Sequence, residues 1–187
     1  MNFLENIIKY QPFNEQEEVD QKIAIAYINK FDNILSRENK IAHITSSSWI
    51  VNKDRTKILL AYHKIYDSWS WTGGHADGED DLLAVALREA KEETGIVHVH
   101  EIIKDIFSLE NLCVPGHIKN GKYVSSHIHI NVTYLLEADE NDPLFIKQDE
   151  NKGVRWFNLH EALTVPTEVW MIEHVYKKLN EKLKQYL

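Results

Sequence analysis

The sequence reads as an α/β chain, and three observations carry that reading. Segments 41–51, 57–63, 97–109 and 122–136 are rich in β-formers. Between the second and third of them, nothing breaks a helix from about residue 80 to Thr94, where Gly95 offers the left-handed conformation that ends helices. Helical patterns also occupy residues 1–40 and the stretch from about residue 167 to the end. At 187 residues the chain is most simply one domain with a sizeable core.

The first 40 residues divide at Pro12 into a short helix around 4–10 and a longer one beginning near Asn14. Asn14 and Glu17 have capping-box spacing. Val19, Ile23, Ala26 and Tyr27, with Ile25 nearby, form an apolar stripe that needs a partner surface. The simplest partner is the rest of the chain, so residues 1–40 are expected to be a helical extension packed on a domain spanning 41–187.

Segments 41–51 and 57–63 are joined by the polar run Asn52 to Thr56 and read as a hairpin. The loop that follows carries Tyr66, Trp69 and Trp71. Trp71 abuts a glycine pair and is expected in the core. Tyr66 and Trp69 are candidates for contact with a flat group of a substrate, since base–aromatic stacking contributes about 1–3 kcal/mol.

The run from Trp71 to Ile96 holds the chemistry. At the helical period Leu82, Leu83, Ala86, Leu87 and Ala90 form a buried stripe, and Glu89, Glu92 and Glu93 stand on the stripe beside it. Acids spaced i, i+3 and i+4 repel by a few tenths of a kcal/mol per pair. A divalent cation removes that penalty, and oxygen-only ligands suit a hard ion such as Mg2+ or Mn2+. Asp77, Glu79, Asp80 and Asp81 crowd the expected helix start, where the dipole favours negative charge.

Gly74, Arg88-Glu89, Ala90, Glu92-Glu93, Gly95 and Ile96 resemble the Nudix box, G-x5-E-x7-R-E-U-x-E-E-x-G-U, without insertion or deletion. One position departs: Asp80 stands where the family has its first glutamate. Farther on, Val154-Arg155-Trp156-Phe157 followed by Glu161-Ala162-Leu163 resembles a late strand and short acidic helix common in that superfamily, and the likeness covers roughly residues 41–165.

The resemblance implies a Nudix-like α/β/α sandwich with a mixed sheet. It also implies metal-dependent hydrolysis of a diphosphate linkage in a nucleoside diphosphate linked to another group. Glu89, Glu92 and Glu93 would be the metal ligands, Arg88 would orient a carboxylate, and Gly73 and Gly74 would let the backbone approach phosphates. The proton acceptor would be Glu92, Glu93 or Glu150, with Asp149 the alternative to Glu150. A non-catalytic nucleotide-binding module is the first competing reading, and Asp80 is its support. An isomerase of the isopentenyl diphosphate type is the second, but it relies on a cysteine near the glycine turn, and Cys113 lies far along the chain.

In segment 122–136, Ile128, Ile130, Val132, Tyr134 and Leu136 share one face, and His127, His129, Asn131 and Thr133 the other. His127 and His129 could coordinate a metal, since two histidines two apart on a strand occur in zinc sites. With no third ligand in view, they read first as a solvated or hydrogen-bonded sheet face and second as residues close enough to the box to touch substrate. Asn120-Gly121 is the expected turn in the connection before that segment.

With 29 acidic against 21 basic residues, the chain lacks the footprint of a protein that grips duplex nucleic acid. An anionic diphosphate would need metal or a local basic cluster. Cys113 is the single cysteine, which fits a reducing compartment. No secretory leader or bilayer-length apolar run is legible, so the expected location is cytoplasmic. The resemblance also leaves room for a homodimer.

Overall fold

The structure, a computed structural model, describes residues 3–65, 67–119 and 121–187. Two helices come first, α1 (Phe3–Lys9) and α2 (Glu15–Ile28). Asn14 caps α2 by accepting from the Glu17 N–H at 3.0 Å. The Glu17 carboxylate turns back to the Phe13 N–H at 2.7 Å, one residue earlier than a capping box requires. The expected stripe holds in part: Ile25 and Tyr27 pack against the core, but Val19 and Ile23 face solvent, while Glu17, Ala24 and Ile28 are buried. A buried acid with its own partners outcompetes the apolar side of a helix whose amphipathicity is weak.

Strands β1 (Ala42–Val51) and β2 (Lys57–His63) follow at the expected places. Their polar turn is tied by Asn52 Oδ1, which accepts from the N–H groups of Thr56 and Lys57, both at 2.9 Å. They pair only at Val51 and Ile58, however, so the hairpin opens at once. Beyond that pair β1 runs parallel to β9 (His127–Ala138) and antiparallel to β4 (Thr72–His75). Strand β2 instead takes β3 (Ser68–Ser70) and β10 (Asn151–Asn158).

Segment 97–109 is not one strand. It breaks into β5 (Val99–Glu101) and β6 (Ser108–Val114), both antiparallel to β9. Segment 122–136 likewise divides into β8 (Lys122–Val124), which pairs with β7 (His117–Lys119), and β9. Of the expected turn, Gly121 has φ of 73°, and Asn120 lies outside the described residues.

The mixed sheet, ordered β10-β2-β1-β9-β5, is sandwiched. Every residue of β1 is buried, because both faces are covered. Ile44 and Ile50 point to α3 (Leu82–Thr94), meeting Leu82, Ala86 and Ala90. Trp49 and Val51 point the other way, to the C-terminal helices α4 (Val169–Met171) and α5 (Lys177–Leu183) and the wider π-helical turn Ile172–Tyr176 joining them. There Tyr176 stacks on Trp49 with ring centroids 5.4 Å apart. The segment resembling a late family strand is β10, and Glu161–Leu163 is a single helical turn after it. Among the described residues no helix is long and apolar enough to cross a membrane.

Candidate active site

Strand β4 places the glycine pair. It lies antiparallel on β1, with Ser47 opposite Gly73, Ser46 opposite Gly74 and Thr45 opposite His75. The chain then turns at Asp77 and Gly78, whose φ values are 48° and 94°. Arg37 holds Asp77 through two guanidinium nitrogens and fixes that turn. Helix α3 starts from Asp81, which accepts from the Ala84 N–H at 3.0 Å, and ends on Gly95 at φ 77°. Ser46 and Ser48 of β1 donate to the carbonyls of Leu82 and Ala86, so the helix is pinned to the strand that carries β4.

This arrangement brings the carboxylates against the glycines. Glu93, only 4 % exposed, accepts from the Gly73 N–H at 3.0 Å. Burial, reinforced by Glu89 and Glu150 nearby, pushes its carboxyl up to about 8 even though the Gly73 bond works against it. Glu89 is also raised, by burial first and by Glu92 next. Glu92 stands at the rim with Lys147 Nζ 3.6 Å from one oxygen, and the same ammonium lies 3.0 Å from Glu150. All four acids line one cleft of about 860 Å3, together with Gly73, Gly74, His127 and His129.

Not every expected position lines the cleft. Trp69 packs edge-on to Phe157 at 4.8 Å and to Tyr62 at 5.3 Å and does not line the cleft, while Trp71 packs on the core beside Tyr176, as expected, and also forms part of the cleft wall. Arg88 is outside the lining, with Nε 4.0 Å from Glu89 Oε1 and no bidentate grip. Tyr66 lies outside the described residues. Asp80 and Asp149 are exposed and do not line the cleft either.

The structure adds residues that the sequence did not single out. Asn131, at the floor, accepts from Thr45 Oγ1 at 3.0 Å and Ser47 Oγ at 2.8 Å. Arg37, Lys40, Lys119 and Lys147 give this acidic chain a basic cleft margin. His43 and His75 stand beside His129, and burial drives His75 to about 3 and His129 to about 2, leaving both neutral. Only strand register brings these residues together, so no local signal marks them.

The two glycines answer different needs. A Cβ on Gly73 would lie 2.7 Å from the Ser46 carbonyl oxygen and also strike Ser47, so Gly73→Ala forces β4 off β1. A Cβ on Gly74 would lie 2.5 Å from the Glu89 carboxyl carbon, the movable end of a side chain. Gly73→Ala is therefore expected to lower the melting temperature sharply. Gly74→Ala should melt near the wild type yet lose activity, because Glu89 is displaced. Melting curves beside turnover measurements test the contrast, and equal destabilisation by both would refute it.

A mixed sheet between helices, with a glycine strand feeding a carboxylate helix at a cleft, is the architecture of a class of enzymes acting on phosphorus anhydrides. The chain belongs to the NUDIX domain family, whose model matches residues 42–179. Its fold is similar to that of an Ap4A hydrolase from C. elegans in a binary complex, at 21% identity and TM-score 0.54, over 76% of this chain and 96% of that one. It is equally similar to a NUDIX-family hydrolase from Clostridium perfringens, at 21% identity and TM-score 0.54, over 78% and 98%. A MutT protein from Methanosarcina mazei Go1 follows at 16% identity and TM-score 0.53, over 78% and 98%. No curated protein matches the chain.

Proposed function

We propose that this protein is a divalent-metal-dependent hydrolase that cleaves the diphosphate linkage of a nucleoside diphosphate joined to another group. The observation that carries this reading is the packing of Glu93 and Glu89 against Gly73 and Gly74 inside the cleft. Two half-desolvated or buried acids side by side are costly unless a cation joins them. Oxygen-only, anionic donors suit Mg2+ or Mn2+, and Lys147 beside Glu92 and Glu150 shows that positive charge is accommodated there.

Glu89, Glu92 and Glu93 would hold the metal, which when bound neutralises phosphoryl charge and acidifies a water. The chain's own groups do the rest. The margin of Arg37, Lys40, Lys119 and Lys147 draws in the anionic linkage, and Trp71 offers a flat wall for a base. Glu150, at the rim and outside the helix cluster, takes the proton from the attacking water. Asp80 does not touch the cleft, so its departure from the family motif leaves these carboxylates unchanged.

Release of phosphate or a monophosphate is expected from at least one member of a panel of nucleoside diphosphate derivatives, Ap4A included, in the presence of Mg2+ or Mn2+. Glu92→Gln and Glu93→Gln should both lose it. A nucleotide that raises the melting temperature without being turned over anywhere in the panel would overturn the enzyme reading and favour a binding module.

A further inference from the structure

Beside the carboxylates the cleft holds a second set of donors of a different chemical kind. His43 comes from β1, His75 from the end of β4, and His127 and His129 from the start of β9. The register explains why they meet: His129 is the parallel neighbour of His43, and His75 sits opposite Thr45, one place along the same face of β1. Ring centroids of His43, His75 and His129 are 4.9 to 5.0 Å apart in each pairing. One nitrogen from each lies within 4.8 Å of the other two. Nitrogens around a tetrahedral zinc ion stand roughly 3.4 Å apart, given Zn–N bonds of about 2.1 Å. A bound ion would draw the three rings together by that difference.

The hydrogen bonds select lone pairs for the interior. His43 Nδ1 lies 3.0 Å from the Asn39 carbonyl, so it carries the proton and leaves Nε2 as an acceptor. That Nε2 is buried and has no hydrogen-bond partner. His127 Nδ1 is similarly 2.8 Å from the Ser125 carbonyl, and its Nε2 meets His129 Nε2 at 3.1 Å. An imidazole whose outer N–H is held by a backbone carbonyl is the arrangement that orients metal-binding histidines. Arg37, whose charge opposes a second positive charge at His75, is paired with Asp77.

We propose that His43, His75 and His129, with His127 at the rim, form a binding site for one borderline transition-metal ion such as Zn2+, open to the cleft and separate from the carboxylate site. Among the described residues the group contains no carboxylate and does not include Cys113, although that thiol lines the same cleft. A nitrogen-only set favours Zn2+, Co2+ or Ni2+ and discriminates against Mg2+, the reverse of the preference of Glu89, Glu92 and Glu93. The two sites are joined through β4, where Gly73 and Gly74 touch the acids and His75 reaches the imidazoles. The proposal does not depend on the hydrolase reading, because metal affinity is measured without substrate.

The test uses the full chain without a histidine tag, stripped with a chelator and titrated with Zn2+ by calorimetry and with Co2+ by visible absorption. One equivalent of Zn2+ should bind in the presence of excess Mg2+, and Co2+ should give the intense bands of a low-coordinate site. His75→Gln and His129→Gln should each weaken Zn2+ binding by about 100-fold or more. Glu92→Gln and Glu93→Gln should leave it unchanged. Circular dichroism identifies any variant that fails to fold, and the remaining histidine variant then decides. Absence of saturable Zn2+ binding, binding unaffected in the folded histidine variants, or binding lost in Glu93→Gln would each overturn the site.

Discussion

Glu93→Gln is expected to lose about 100-fold or more in kcat while making the protein without added metal more stable at neutral pH. The two effects share one cause. Glu93 is 4 % exposed and anchored to the Gly73 N–H, so its charge is useful only when a cation answers it. Glutamine keeps the acceptor for Gly73 and removes the cost of taking up a proton, or burying a charge, at this position.

The pH dependence follows from the sign of the shift. Burial raises Glu93 from its ordinary 4.5 to about 8, so between those values the folded protein holds a proton that the unfolded chain has released. The stability contributed by this group is complete below the unfolded value and is lost as pH rises through the folded one. Without metal, the wild-type melting temperature should therefore fall between about pH 5 and pH 8, whereas Glu93→Gln should fall less, since of the two raised carboxyls only Glu89 still titrates. Mg2+ binding the folded state should flatten the wild-type curve too. Parallel slopes for the two proteins in chelator would refute the assignment.

What could be read from the sequence was local, and what could not was a matter of register. Helix α3 is legible because an apolar period, an acidic start and Gly95 agree with one another. Glu150 is legible because its offset from Val154-Arg155-Trp156-Phe157 carries over from the family, and the structure places it in the cleft. The hairpin expectation failed beyond one pair because β4 occupies the rest of the β1 edge on which β2 begins, while β9, a strand nearly ninety residues away, takes the other edge. The same pairing sets His129 beside His43, which is why His127 and His129 had no visible third partner. The tryptophans differ from expectation for a related reason: both pack on the core, but it is Trp71 and not Trp69 that also lines the cleft. Within the short strand β3, alternation sends Trp69 toward Phe157, while Trp71, between β3 and β4, turns to the cleft.

The N-terminal helices supply the second large effect. Glu17 is fully buried and accepts from Tyr10 Oη at 2.5 Å, Ser108 Oγ at 2.7 Å and Lys182 Nζ at 3.0 Å. Lys178 lies between Glu17 at 3.0 Å and Glu110 at 2.9 Å, a contact of charges without well-angled hydrogen bonds. Two acids and two ammonium groups thus balance inside the protein and join α2 and β6 to the C-terminal helix. Burial alone would raise Glu17, but Lys178 and Lys182 prevail and hold it at about 2. Its contribution is therefore present above the ordinary carboxylate value of 4.5 and is lost as pH falls through about 2. Glu17→Ala strands the Lys182 ammonium among the rings of Tyr10, Phe13 and Phe107 and should cost about 3–5 kcal/mol in urea unfolding at neutral pH. Glu17→Leu combined with Lys182→Met should recover most of that loss, because an apolar pair replaces a charge pair of similar volume. Removal of residues 1–40 should then leave a chain that unfolds more readily than any of these variants, since it exposes Lys178, Lys182 and Glu110 together. A truncated chain as stable as the full one, or a double variant no better than Glu17→Ala, would show that the charges are incidental to how the N-terminal helices are held.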